Sequence, residues 1–355
     1  MMDLRLRAST LAAVAAVGAL FALPAPHPAA PPAQPAAAGP PVPLETAWPA
    51  AKVSTLPSVQ PDGSTFLPLL VVSPDILAGM RNGKTFVLRT PTETRELAPN
   101  VTGLARTLDA YTVAGGQLFW IVSVKDLNGG QRSTLWTADI AAGPARVLAT
   151  DTGARARAGA LDLQVVDGVV HWAGDGPDGG TELRAVPATG GPVSTTRVKG
   201  RYTLSAWPWL SPAISTTGAP VELLNADTKA VLKVPAAKGR RLSCGPAWCR
   251  SSDDGVLELR RVDGSDPRRF GEQGARPTSY PIGAVNTLDV FTAGVASTAS
   301  GLIRPLFLYD IPGHRVVQVA SAAGAFGVRD NWLLWSTGDN EGLAWHFLDL
   351  RSLAP

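Results

Sequence analysis

The chain has little cysteine, histidine or charge. Its 355 residues include two cysteines, four histidines and 17% charged residues. His27, His171, His314 and His346 are widely spaced, so no zinc site can be written from them and the cysteines. There is no Gly-x-Ser-x-Gly elbow, no His-Glu-x-x-His, and no glycine loop ending in Lys-Ser/Thr. Helical periodicity is scarce. The formal charge of +3 includes Arg5 and Arg7, so the remainder is close to neutral. That argues against a dedicated nucleic-acid binder.

Only one long apolar run occurs. Leu11 to Leu23 follows the basic pair Arg5 and Arg7 and precedes the small residues around Pro24 to Ala30. Basic, apolar, small is the order of a secretory signal. Residues 1–23 are therefore expected to be a signal peptide or an uncleaved N-terminal anchor. No cysteine follows the run for lipidation, and no twin-arginine pair precedes it, so the general export route is expected. Residues 24–43 are nearly all Pro and Ala, a composition that holds a chain extended as a semi-rigid linker. The protein is expected outside the cytoplasm, secreted or associated with the cell envelope, and touching a membrane only through its N-terminal segment.

Residues 44–355 read as all-β. Short apolar and β-branched runs are bounded by Gly, Asp, Asn and Pro. Five segments centre on a tryptophan: Trp120, Trp172, Trp209, Trp248 and Trp335. The first four lie about 40–50 residues apart, the period of a four-stranded propeller blade. The last gap is about twice that period, and "TLDVFTAGV" (287–295) fills it without a tryptophan. Downstream of each lies a strand, a tight turn and another strand, as in "ELRAVPATGGPVSTTRV" (182–198). Seven such hairpins can be traced, and the last, "AWHFLDLRSLAP" (344–355), stops at its turn. The expectation is a seven-bladed β-propeller, with a six-bladed ring as the alternative. Residues around 47–56 should close the ring as the outermost strand of the blade formed by 324–355. The tryptophans are read as packing between blades. Arginines thicken between Lys238 and Arg269, but acidic residues interleave with them, as on a solvated strand surface.

The per-blade pattern and "VQPDGSTFLPLLVVS" (59–73) carry a resemblance. Pro61, Asp62 and Gly63, with the strand after them, are similar to the turn and strand of the TolB-like propellers. The whole pattern resembles the secreted propellers of high-GC bacteria. The resemblance implies an extracytoplasmic interaction scaffold and no catalytic residues.

Cys244 and Cys249 should face each other across a hairpin turning at Gly245-Pro246-Ala247. With no further ligands for zinc, no Cys-x-x-Cys, and an oxidising destination, they are read as a disulfide. Three repeats carry Leu-Asp before a strand: Asp109, Asp162 and Asp289; Ser205 and Ser243 take the equivalent places in two others. If these line the channel rim, carboxylates would converge and could hold calcium. The competing reading is turn chemistry, an Asp or Ser bonding backbone N–H groups. Two functions follow. One is a non-catalytic, monomeric scaffold for a protein or an envelope polymer, needing no cofactor. The other is a propeller enzyme (a lyase, lactonase or glycosidase) using those rim carboxylates, with His171 as the nearest histidine.

Overall fold

The computed structural model describes residues 38–99, 106–125, 130–150, 152–153, 163–253, 256–271, 275–277, 287–294, 296–298 and 301–353. The segment read as a signal and most of the linker lie outside these residues, as does Asp162.

The second strands of several blades have almost no solvent face, whereas outermost strands such as Ser194–Val198 are exposed. Gln117–Lys125 buries six consecutive residues, Leu118 through Ser123, because its sheet is covered on both sides. Such sheets must stack on one another. They do so as a ring of seven four-stranded antiparallel blades. Blade 1 runs Phe66–Ser73, Ile76–Arg81, Thr85–Arg89 and Thr94–Ala98, from the channel outward. Blade 2 runs Arg106–Ala114, Gln117–Lys125, Gln131–Asp139 and Arg146–Ala149. Blade 3 holds Leu163–Val166, Val169–Asp175, Thr181–Pro187 and Ser194–Val198. Blade 4 holds Tyr202–Leu204, Trp209–Pro212, Val221–Asn225 and Val231–Val234. Blade 5 holds Ser243–Cys244, Trp248–Asp253, Val256–Arg261 and Arg268–Phe270. Blade 6 is Arg276–Pro277, Leu288–Thr292, Gly301–Asp310 and Arg315–Ala323, to which Ala296–Thr298 adds beside Gly301–Asp310 and Val42–Pro43 adds in parallel at the outer edge. Blade 7 is Phe326–Arg329, Trp332–Thr337 and Ala344–Asp349, completed by Val53–Pro57 as its outermost strand. The expected closure is thus present, with Thr55 opposite His346 and Leu56 opposite Trp345.

The tryptophans do pack between blades, but on two different faces. Trp120, Trp172 and Trp335 are fourth in their strands, and each sits in a cluster with the preceding blade. Trp209 and Trp248 are first in their strands, and each packs towards the following blade. First and fourth positions differ by an odd number, so their side chains leave opposite faces of the sheet. Phe291, fourth in Leu288–Thr292, takes the missing tryptophan's place and stacks among Phe270 and Phe307. Blade 1 has Gly79 there. A Cβ on Gly79 would lie 2.2 Å from the Leu67 carbonyl oxygen and 2.8 Å from the Phe66 ring, so the bulge at Pro68 admits no side chain. That is why the first blade carries no aromatic marker.

The turns follow the expected chemistry. Asp62 accepts hydrogen bonds from the Ser64 N–H (2.9 Å) and hydroxyl (2.6 Å), with Gly63 at φ 78° between them. Asp263, Gly264 and Ser265 repeat this turn in blade 5. The arginine-rich stretch is internally matched. Arg240 and Arg269 share Glu258, Arg268 pairs with Asp266, and Arg261 lies 4.1 Å over the Trp248 ring.

At the closure, His346 sits between two threonines. Its Nδ1 is 3.0 Å from Thr55 Oγ1, its Nε2 is 2.7 Å from Thr337 Oγ1, and its ring stacks on Trp335. Burial holds its pKa below the ordinary histidine value. The unfolded chain therefore takes up this proton first as pH falls, so the stability His346 contributes is complete at neutral pH, begins to fall below about 6.5 and is lost as pH drops through the lower folded-state value. His346→Gln, which can bridge both threonines without titrating, should flatten the fall in melting temperature between pH 7 and pH 5. An unchanged pH profile in the variant would show that His346 does not gate the closure.

Candidate functional site

The described residues among those expected at the channel rim take separate partners. Asp109 is the extra residue of a bulge in blade 2's inner strand, between Leu108 and Ala110. It accepts hydrogen bonds from Thr107 Oγ1 (2.8 Å) and from Ser123 Oγ. Ser123 in turn lies 2.6 Å from Ser133 Oγ, so the hydroxyls form a relay across three strands of the blade. Thr152 donates to the Ser133 carbonyl, and the Trp172 indole donates to the Thr152 carbonyl, carrying the network into blade 3. Asp109 acts as a tie between strands.

Asp289 departs from the expected position. It lies on the second strand of blade 6, opposite Tyr309, and not on the innermost strand. "TLDVF" is the counterpart of the tryptophan-bearing strand, whereas "TLDAY" is an inner strand, so the shared Leu-Asp has two different registers. Asp289 and Arg250 of blade 5 are each 4% exposed and meet at 2.6 Å. Burial pushes the Asp289 carboxyl up, against the opposing pull of the Arg250 guanidinium and of the Val290 N–H. Ser205 is buried at the end of blade 4's inner strand, where its N–H donates to the Trp209 carbonyl. Ser243 is exposed and lies opposite Arg250. His171 stacks on Trp207 with ring centres 3.8 Å apart, and burial lowers its pKa. Among the described residues, no three His, Cys, Asp or Glu side chains gather closely enough to hold a metal ion.

The cysteines behave as expected. Gly245 N–H bonds the Trp248 carbonyl, which makes Cys244 and Cys249 the adjacent cross-strand pair, and a disulfide joins them. Both are buried against Val221, Leu223 and Val234, in the interface between blades 4 and 5.

What the sequence did not announce lies on the channel wall between blades 7, 1 and 2. Arg329 ends blade 7's inner strand and reaches past blade 1 to blade 2. Its Nη1 donates to the Tyr111 carbonyl, and its guanidinium lies 4.2 Å from the Tyr111 ring centre. Next to it, Asp330 and Asn331 turn the hairpin with φ of 48° and 67°. Asp330 accepts from Thr112 Oγ1 at 3.3 Å and from the Val113 N–H, and burial pushes its carboxyl up. Beneath this bridge is a cavity of about 190 Å³, lined by residues of all three inner strands and by Trp345. The Asp-Asn pair before Trp332 is a readable turn signal; Arg329 had none.

No known protein-family model matches the chain, and no curated protein is similar to it. The solved structures it resembles match at low identity. A TolB protein of Agrobacterium tumefaciens has 13% identity and a TM-score of 0.43, over 72% of this chain and 93% of that one. The WD40 domain of SCAP from fission yeast has 9% identity and a TM-score of 0.44, over 90% and 98%. A puromycin-hydrolyzing peptidase of Mycobacterium tuberculosis has 11% identity and a TM-score of 0.45; the likeness covers 85% of this chain and 52% of the peptidase. These are likenesses of fold.

Two outcomes follow from the buried contacts. Asp289→Asn takes the carboxylate away from a buried guanidinium and should destabilise the protein by about 3–5 kcal/mol in urea unfolding, whereas the pair Arg250→Met with Asp289→Leu should come within about 1 kcal/mol of the parent or above it. Equal losses in both would show that the charge pair is not what matters there. Reducing the disulfide frees a very short loop and should lower stability by about 2 kcal/mol. Denaturation with and without a thiol reductant measures it.

Proposed function

We propose that the protein is an exported, non-catalytic propeller that serves as a binding scaffold for a protein or a cell-envelope polymer. One observation carries this reading. The described rim carboxylates are engaged by the fold itself: Asp109 ties the inner strand to the next two through Ser123 and Ser133, and Asp289 is buried against Arg250 on a second strand. Carboxylates so placed serve the fold: Asp289 lies on a second strand away from the channel, and the hydrogen bonds of Asp109 hold it against its own blade. The N-terminal order of basic, apolar and small residues, together with the Cys244–Cys249 disulfide, supports a place outside the cytoplasm. The near-neutral composition supports a partner other than nucleic acid. In this reading the propeller is a monomer, and its rigid ring presents loops on two faces.

The deciding experiment uses the purified chain in two arms. In the first, it is cross-linked in an envelope extract, and retained protein or polymer is identified. In the second, bound metal is measured after dialysis, for the parent and for the triple variant Asp109→Ala, Asp162→Ala, Asp289→Ala. The scaffold reading expects a retained partner and no stoichiometric cation. A calcium ion lost in the triple variant, with turnover of a lactone or glycoside lost alongside it, would replace the scaffold with the propeller enzyme.

A further inference from the structure

The cavity under the Arg329 bridge is built on three inner strands. Leu67 and Leu69 of blade 1, Tyr111 of blade 2, and Val328 and Arg329 of blade 7 line it, with Trp345 from blade 7's third strand. It is open, since Leu67 is 38% exposed where the neighbouring positions Phe66 and Leu70 are buried. Its volume of about 190 Å³ exceeds the roughly 150 Å³ of an apolar protein cavity that accommodates benzene. An apolar group as large as a leucine or phenylalanine side chain therefore fits.

Its polar side chains are few. The adjacent Asp330 carboxylate attracts Arg329 electrostatically, but the hydrogen bond and ring contact of the guanidinium are to Tyr111. The neighbouring Asp330 spends its oxygens on Thr112 and the Val113 N–H across the channel. The Tyr111 carbonyl takes one Nη1 proton, and a guanidinium carries five N–H groups in a fork suited to a carboxylate. The Trp345 indole N–H is buried and has no acceptor among the described residues. The lining side chains include the Arg329 guanidinium and the Trp345 indole as donors and no carboxylate, and an apolar cavity with a cationic donor favours an anionic, acceptor-bearing ligand.

We propose that this cavity binds a carboxylate carried on an apolar group of one side chain's size, with the carboxylate on the Arg329 guanidinium and the body against Leu67, Leu69 and Val328. Such chemistry has two sources, a small free acid and the C-terminal residue of a polypeptide. The proposal deepens the scaffold reading by naming what its channel recognises. It also touches the ring closure, because Trp345 lies directly opposite Leu56 of the closing strand. A ligand that binds only the closed ring raises its melting temperature by mass action.

The test titrates the full chain with 4-methylpentanoate, 3-phenylpropanoate and 3-phenylpropanamide. Alongside them run a pentapeptide ending in leucine and its C-terminal amide. Calorimetry and the melting temperature are the readouts. Saturable binding of an acid or of the free peptide is expected at millimolar concentration or below, with the matching amide at least tenfold weaker. Arg329→Gln should weaken the acid at least tenfold. Leu67→Asp, at a position exposed enough to leave folding intact, should do the same through charge repulsion. Tighter binding by the peptide than by the free acids assigns the site to polypeptide ends, and the reverse order assigns it to small acids. No saturable binding by any acid, or equal binding by acid and amide, overturns the proposal. A partner still captured from envelope extract by Leu67→Asp would leave the scaffold reading standing and remove the cavity from it.

Discussion

Everything in this molecule depends on one pairing that the chain makes with itself late. Val53–Pro57 must lie beside Ala344–Asp349. No blade can bury both faces of its sheet alone, so each depends on two neighbours. An open ring would leave one interface without a partner. That interface contains Leu56, Phe66, Leu77, Trp332, Trp345 and Phe347. The cost of bringing the ends together grows only with the logarithm of the separation. The buried apolar area at the seam grows with every residue that joins it. The balance therefore favours a closing strand whose side chains reach into the seam, and Leu56 does so.

The same constraint explains the shape of the sequence pattern. Blades meet face to face, so each interface needs bulk from one side or the other, and it does not matter which. Trp120 and Trp172 fill from the later blade; Trp209 and Trp248 fill from the earlier one. In the interface between blades 5 and 6, Trp248 and Phe291 both contribute, with Phe270 stacked on Tyr309 at 4.0 Å. Burial there pushes the Tyr309 hydroxyl up to about 12, although it still reaches His314 Nδ1 at 3.0 Å. Selection for volume at the interface, not at one strand position, produces markers that recur with a period yet switch faces.

The limits of reading such a fold from its sequence follow from the range of the interactions. Turns, hairpins and the seven-fold count rest on residues within a few positions of one another, as at Asp62-Gly63-Ser64, and they were legible. The Cys244–Cys249 pair was legible for the same reason. Asp289 was misplaced because "TLD" reads identically on an inner and on a second strand; only the register against Tyr309 and the buried Arg250, 39 positions away, distinguishes them. Arg329 was invisible because its partner, Tyr111, lies 218 positions away, and an arginine before a turn carries no signal of its own. The channel wall is thus the part least open to inspection by sequence, since it is where inner strands from distant repeats converge.

The residues just before the closing strand add a further step. Ala38 N–H donates to the Arg269 carbonyl on blade 5's outermost strand. Val42–Pro43 pair in parallel with Val317 and Gln318 on the outer edge of blade 6. Leu44 and Trp48 are buried in the cluster between blades 6 and 7, and Arg315 lies 4.9 Å over the Trp48 ring. The segment therefore crosses three blades before it supplies the last strand. Its end at Pro43, the close of the Pro/Ala stretch, is already part of the sheet edge. This arrangement does two things for the closure. It places the closing strand within a few residues of an anchored tryptophan, so the final pairing forms at a high effective concentration. It also means that a pull arriving through the Pro/Ala segment meets Ala38, Val42 and Trp48 in turn before it reaches Val53. A ring held shut by a terminal strand is most easily opened by peeling that strand from its end. Here the end of the strand is tied down upstream, at Ala38, Val42 and Trp48, so peeling cannot start at Val53 before those contacts are broken.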